Sequence, residues 1–142
     1  MRSFSNLPLV DLGRTQARMI LKPFTLTAAQ LRSGNTAPIV IVPGIAGRLL
    51  VGETFAWDII TLTAMSANPT WSFRYTTFAF DLSSTTTFSL NAINHQNGRI
   101  SGFSAFNTTT DLRGQSLTLR STADVTGGSI ESYRGVIAYL VL

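Results

Sequence analysis

The chain has 142 residues, of which 44% are hydrophobic and 13% charged, with a net charge of +4. That length suits one domain, and folding it buries roughly 70% of the surface that the unfolded chain exposes; so apolar a composition excludes a disordered chain. Cysteine is absent and His95 is the single histidine, which excludes disulfides, thiolate nucleophiles and sites built on paired imidazoles.

Residues 1–18 have no clean period and read as an N-terminal arm ahead of a β-sandwich domain at 19–142. Pro8 and Gly13 interrupt them, while Phe4, Leu7, Leu9, Val10 and Leu12 supply apolar points. An apolar segment of this kind is expected to dock on a neighbour rather than to fray. Asp11, Arg14 and Arg18 break every apolar run, so no cleaved export signal is expected. No stretch approaches the roughly 18 consecutive apolar residues of a membrane span, so no membrane partner is expected either.

From Arg18 the chain reads as an extended entry through Pro23. Thr27-Ala-Ala-Gln30 is a capping box that predicts one short helical turn, closed by Ser33-Gly34-Asn35. Pro38 to Val42 is a β-branched run bounded by prolines, hence a strand, and Pro43 to Gly47 is a turn. Arg48 to Ala64 predicts a long strand, with Phe55, Trp57 and Ile59 alternating on one face and Gly52 marking a bulge. Trp71, Phe73 and Tyr75 share a face of the next strand. Phe78 and Phe80 change parity, which predicts a second bulge or burial on both sides.

The threonine-rich stretch Ser83 to Ile93 favours a strand. Asn94 to Gly98 reads as a polar loop, followed by an imperfectly alternating strand from Arg99 to Phe106. Gln115 to Ala123 alternates cleanly. Asp124 to Gly128 is a turn, and Glu131 to Leu142 closes the chain as a strand. The count is about eight strands with helix confined to one short turn. The predicted class is all-β: a single-domain antiparallel sandwich, which the resemblance given below makes jelly-roll-like.

The last strand is apolar on both faces. Val136, Ala138, Leu140 and Leu142 lie on one, Ile137, Tyr139 and Val141 on the other. A sandwich strand ordinarily keeps one polar face. Either another element of the chain or another subunit must cover the second, and a subunit contact through Ile137, Tyr139 and Val141, joined by Phe4, Leu7, Leu9 and Val10 of the arm, is the expectation.

Candidate chemistry is sparse. His95 has Asp81, Asp111 and Asp124 within modest sequence distance, but no nucleophile elbow accompanies it. The acids are spread without calcium-loop spacing, and Pro43 to Gly47 lacks the Lys-Ser/Thr ending of a phosphate loop. No catalytic residue, metal or cofactor is expected. Trp57 and Trp71 are candidate glycan contacts if exposed, although alternating aromatics more often fill a core. Lys22 is the one lysine among 11 basic residues, and the arginines are scattered from Arg2 to Arg134. Without a basic stripe, specific nucleic-acid binding is not expected.

The runs Thr25-Leu-Thr-Ala-Ala-Gln-Leu31, Ala37-Pro-Ile-Val-Ile-Val-Pro-Gly44 and Ala46-Gly-Arg-Leu-Leu-Val51 resemble a block of small tailed-phage structural proteins. Leu117-Thr-Leu-Arg120, Thr126-Gly-Gly128 and Tyr133 to Leu142 look like their closing half, so the resemblance spans about residues 25–142. Gly44, Ile45 and Arg48 depart from that pattern. It is a packing-and-turn motif and carries no catalytic residues. The resemblance implies a jelly-roll or related sandwich acting as a non-enzymatic virion component assembled in the host cytoplasm. Within that class, a capsid decoration (cement) protein comes first, bound to the major capsid protein and self-associated as a homotrimer. A tail- or fibre-associated protein, or a carbohydrate-binding jelly-roll module for host attachment, is the alternative.

Overall fold

The computed structural model describes residues 18–101, 103 and 110–142. The arm residues Phe4, Leu7, Leu9 and Val10 therefore lie outside the described residues. Among the described residues eight strands follow in order: β1 (Arg18–Thr25), β2 (Ile39–Val42), β3 (Leu50–Thr63), β4 (Thr70–Tyr75), β5 (Thr86–Thr87), β6 (Asn94–Ile100), β7 (Leu117–Ser121) and β8 (Ser129–Val141). One short helix, α1 (Ala28–Arg32), sits between β1 and β2. Its capping box forms as expected: the Gln30 N–H donates to the Thr27 hydroxyl and the Thr27 N–H donates to Gln30 Oε1.

Two four-stranded antiparallel sheets form, in the orders β1-β8-β3-β6 and β2-β7-β4-β5. The pairings have a simple logic. β4 pairs with β5, β3 with β6, β2 with β7 and β1 with β8. The chain is thus one long hairpin, folded at β4–β5, whose double ribbon is rolled into two layers. Contacts between β3 and β8 and between β4 and β7 join the turns of the roll. This strand order is that of a jelly roll, within the all-β sandwich class expected from the spacing of the strands.

The core lies between the layers. Phe55, Trp57, Ile59, Tyr133 and Ile137 face inward from one sheet, and Trp71, Phe73, Tyr75, Leu117 and Leu119 from the other. Phe55 meets Phe73 edge-on across the layers at 5.0 Å. Phe88, from the segment after β5, fills the centre, 4.9 Å from Trp57, 5.3 Å from Trp71 and 5.4 Å from Tyr133 between ring centroids. So many rings fit only where their neighbours are small. Trp57 is flanked in the sheet by Gly98 on β6 and Gly135 on β8. Trp57 lies over Gly98, and Phe24 lies over Gly135. Trp71 is seated in the same way on Gly34, and Phe103 on Gly52.

Polar fastenings close the layers and loops. The Tyr75 hydroxyl crosses from one sheet to donate to the Leu50 carbonyl of the other, and burial pushes its phenol above the ordinary range. Asp124 accepts from the Thr36 and Asn35 N–H groups, and the hydrogen bonds from Thr36 do most to lower its carboxyl below its ordinary value. On the outer face of the second sheet, Asp81 accepts from Ser72 at 2.6 Å and from Arg74 Nε at 2.7 Å. Burial raises that carboxyl, but those bonds and the charges of Arg74 and Arg120 outweigh it, so it titrates below its ordinary value.

Three local expectations differ from the structure. Asn94 to Gly98 is strand, because β3 offers it an unpaired edge; pairing, not composition, decides a strand at this position. The threonine stretch at 83–93 yields only the two-residue β5, paired with Thr70 and Trp71 of β4, while Ser83 bridges to Phe103 instead. Phe78 and Phe80 lie in neither a bulge nor a strand. β4 ends at Tyr75, the Phe78 N–H donates to the Tyr75 carbonyl, and the two rings pair with each other at 5.2 Å in the turn that follows. The bulge at Gly52 forms where expected, between Gly52 and Thr54.

A Cβ added at Gly98 would stand 2.6 Å from the Trp57 ring. Gly98→Ala is expected to destabilise the fold by about 1–3 kcal/mol through forced displacement of that ring, read as a lower midpoint in urea. Tyr75→Phe leaves the Leu50 carbonyl without its donor and is expected to cost about 1–3 kcal/mol in the same measurement.

Candidate functional site

The inner face of the β1-β8-β3-β6 sheet is committed to the core, so any contact surface on this sheet is its outer face. The register defines that face row by row. Met19, Leu140 and Val51 form the first row, Leu21, Ala138 and Thr54 the second, Pro23, Val136 and Ala56 the third. Beyond them come Thr25, Arg134 and Asp58. The face is therefore apolar at the end where β1 begins and charged at the other. Leu21 is 69% exposed, Met19 57% and Val136 40%. An isolated exposed leucine is unremarkable, but here apolar side chains lie side by side on three neighbouring strands.

The charged end is organised around Asp58. His95 Nε2 lies 2.6 Å from Asp58 Oδ1, and Arg134 Nη2 lies 3.5 Å from Asp58 Oδ2. None of the three carboxylates near His95 in sequence is its partner; Asp58 is, brought alongside by the pairing of β3 with β6. The group is solvent-exposed and involves no hydroxyl nucleophile, so it fixes side-chain positions on the strand surface and adds little stability. Among the described residues no three His, Cys, Asp or Glu side chains gather in metal-binding geometry. No helix among the described residues is long and apolar enough to cross a membrane.

The expected contact residues on β8 need correcting. Ile137 is 0% exposed and Tyr139 8%, and Val141 packs against the core. Ile137 and Tyr139 point between the sheets, where this chain's own second layer covers them and leaves no surface for a subunit, and Val141 is half-buried on the same face. The free apolar face of β8 is the opposite one, with Val136 and Leu140. Alternation along the sequence identified both faces but not which of them the second sheet would cover. Met19 and Leu21 join the free face only through the β1–β8 pairing, a non-local contact that no local sequence signal reports.

The glycan contacts also fail on burial. Trp57 is 8% exposed and Trp71 0%, so neither offers a ring face for a sugar to stack on. Both indole Nε1 atoms are buried without a hydrogen-bond partner, as are the Tyr133 hydroxyl and Thr61 Oγ1. Burying an indole body contributes about 4–6 kcal/mol, against about 1–3 kcal/mol for an unpaired donor. Packing therefore wins, and these rings serve the core.

A shallow cavity of about 460 Å³ opens beside the apolar face, lined by Pro23, Phe24, Thr25, Arg134, Gly135 and Val136. Comparison with protein-family models, with curated proteins and with solved structures finds no match for this chain.

Adjacent positions on β8 separate the two faces experimentally. Ile137→Ala is expected to destabilise by about 2–5 kcal/mol, while Val136→Ala stays within about 0.5 kcal/mol, both read from urea unfolding at low protein concentration.

Proposed function

We propose that the protein is a non-enzymatic virion structural protein of tailed phages, a jelly-roll subunit that self-associates and seats on the head surface as a decoration protein. The observation that carries the reading is the apolar outer face of β1, β8 and β3, which leaves Met19, Leu21 and Val136 in water in a single copy. Association is the physical remedy for such a face, and closed symmetric assembly lets one patch serve every copy. The strand order supports the reading by analogy of fold alone, since jelly rolls serve as viral capsid domains and as lectins. The sequence resemblance to small phage structural proteins supports the virion assignment and three as the copy number. With Trp57 and Trp71 sealed in the core, the lectin-like alternative loses the residues proposed for it.

Light scattering of the full chain over a wide concentration range tests self-association. A mass of about three chains, constant on dilution down to about micromolar concentration, is the expected result. A single-chain mass throughout overturns the reading.

A further inference from the structure

The apolar face has a particular occupant available. Residues 1–17 precede Arg18, the first residue of β1, and β1 is the outermost described strand of the sheet that carries this face. They include Phe4, Leu7, Leu9, Val10 and Leu12, more apolar side chains than a solvated tail needs. Residues 4–12 extended reach about 30 Å, whereas the apolar rows from Met19 to Pro23 run for about 16 Å of strand. One arm is long enough to cross the whole patch.

Direction decides whose patch it is. β1 runs from Arg18 toward Thr25, so Arg18, where the described residues begin, lies at the apolar end of the face. To lie on its own face it must reverse completely within residues 13–17. To reach another copy it need only continue. Simple strand addition at the β1 edge is disfavoured, because Pro23 lacks an N–H and Lys22 sits beside it, two features that discourage edge pairing. The arm is thus suited to the face of a sheet rather than to its edge.

We infer that residues 4–12 of one copy lie across the Met19, Leu21, Val136 and Leu140 face of a neighbouring copy, so that exchanged arms hold the assembly together. The inference rests on the self-association proposed above. The arm provides the apolar cover, and the face provides a rigid template already set by the β1–β8–β3 register. Exchange makes the contact heterologous, with arm on one partner and face on the other, which suits a closed ring.

Two variants of the full chain test it. Leu21→Glu breaks the face at an exposed position, and the double variant Leu9→Glu/Val10→Glu breaks the arm; circular dichroism verifies that each keeps the β fold. Each alone is expected to raise the concentration for assembly about tenfold or more. Mixed together they are expected to form two-chain species, because the intact arm of the first fits the intact face of the second. Variants that dissociate but regain nothing on mixing would place the arm on its own chain and overturn the exchange. Variants as fully assembled as the parent would overturn arm-on-face docking while leaving self-association standing. A parent chain that is monomeric at every concentration removes the underlying reading itself.

Discussion

The structure depends on fitting large rings between two sheets about 10 Å apart. Trp57 is accommodated because its sheet neighbours on both sides are glycines, Gly98 and Gly135. The row Phe24–Gly135–Trp57–Gly98 alternates ring and hydrogen across the full width of the sheet. Each ring spreads over a neighbour that has no side chain. Trp71 on Gly34 and Phe103 on Gly52 repeat the arrangement elsewhere. With these seats occupied, Phe88 completes the centre and the two layers close at ordinary sandwich spacing.

This packing also determines where a surface is left. The rings fill the inner face of β8 and β3, so Ile137, Tyr139 and Phe55 are buried in the core. What remains is the reverse side of the same strands, apolar near Met19 and Leu140 and charged near Asp58, His95 and Arg134. In the proposed assembly, a face polarised in this way offers a partner both an apolar end and a charged end. The proposed assembly role uses that reverse side, and the arm ahead of β1 is the proposed means of covering it.

The wound topology explains why the two ends of the chain act together. β1 pairs along its full length with Arg134 to Val141 of β8, and Leu49 and Leu142 exchange backbone hydrogen bonds where β3 begins. The residues entering the domain and the residues closing it therefore build one sheet. Most strand pairings join residues far apart in sequence, so the sheet order is set by the rolled hairpin as a whole and not by neighbouring turns.

Much of this was legible locally. The capping box at Thr27 and Gln30, the strand at Ile39–Val42, the bulge at Gly52 and the alternation of Trp71, Phe73 and Tyr75 follow from side-chain chemistry within a few residues, and each appears as expected. The all-β sandwich class was legible in the spacing of the strands, while the jelly-roll order was expected only from the resemblance to small phage structural proteins. Local sequence did not disclose that Asn94 to Gly98 would be a strand, that Asp58 would be the partner of His95, or that Ile137 and Tyr139 would face inward while Val136 and Leu140 faced out. Period-2 alternation divides a strand into two faces but does not say which one a distant sheet will cover. The sequence by itself determined the strands, their turns and the apolar content of both faces of β8. Tertiary structure alone decided which face became core, because burial is a property of the layer opposite, assembled from residues far away along the chain.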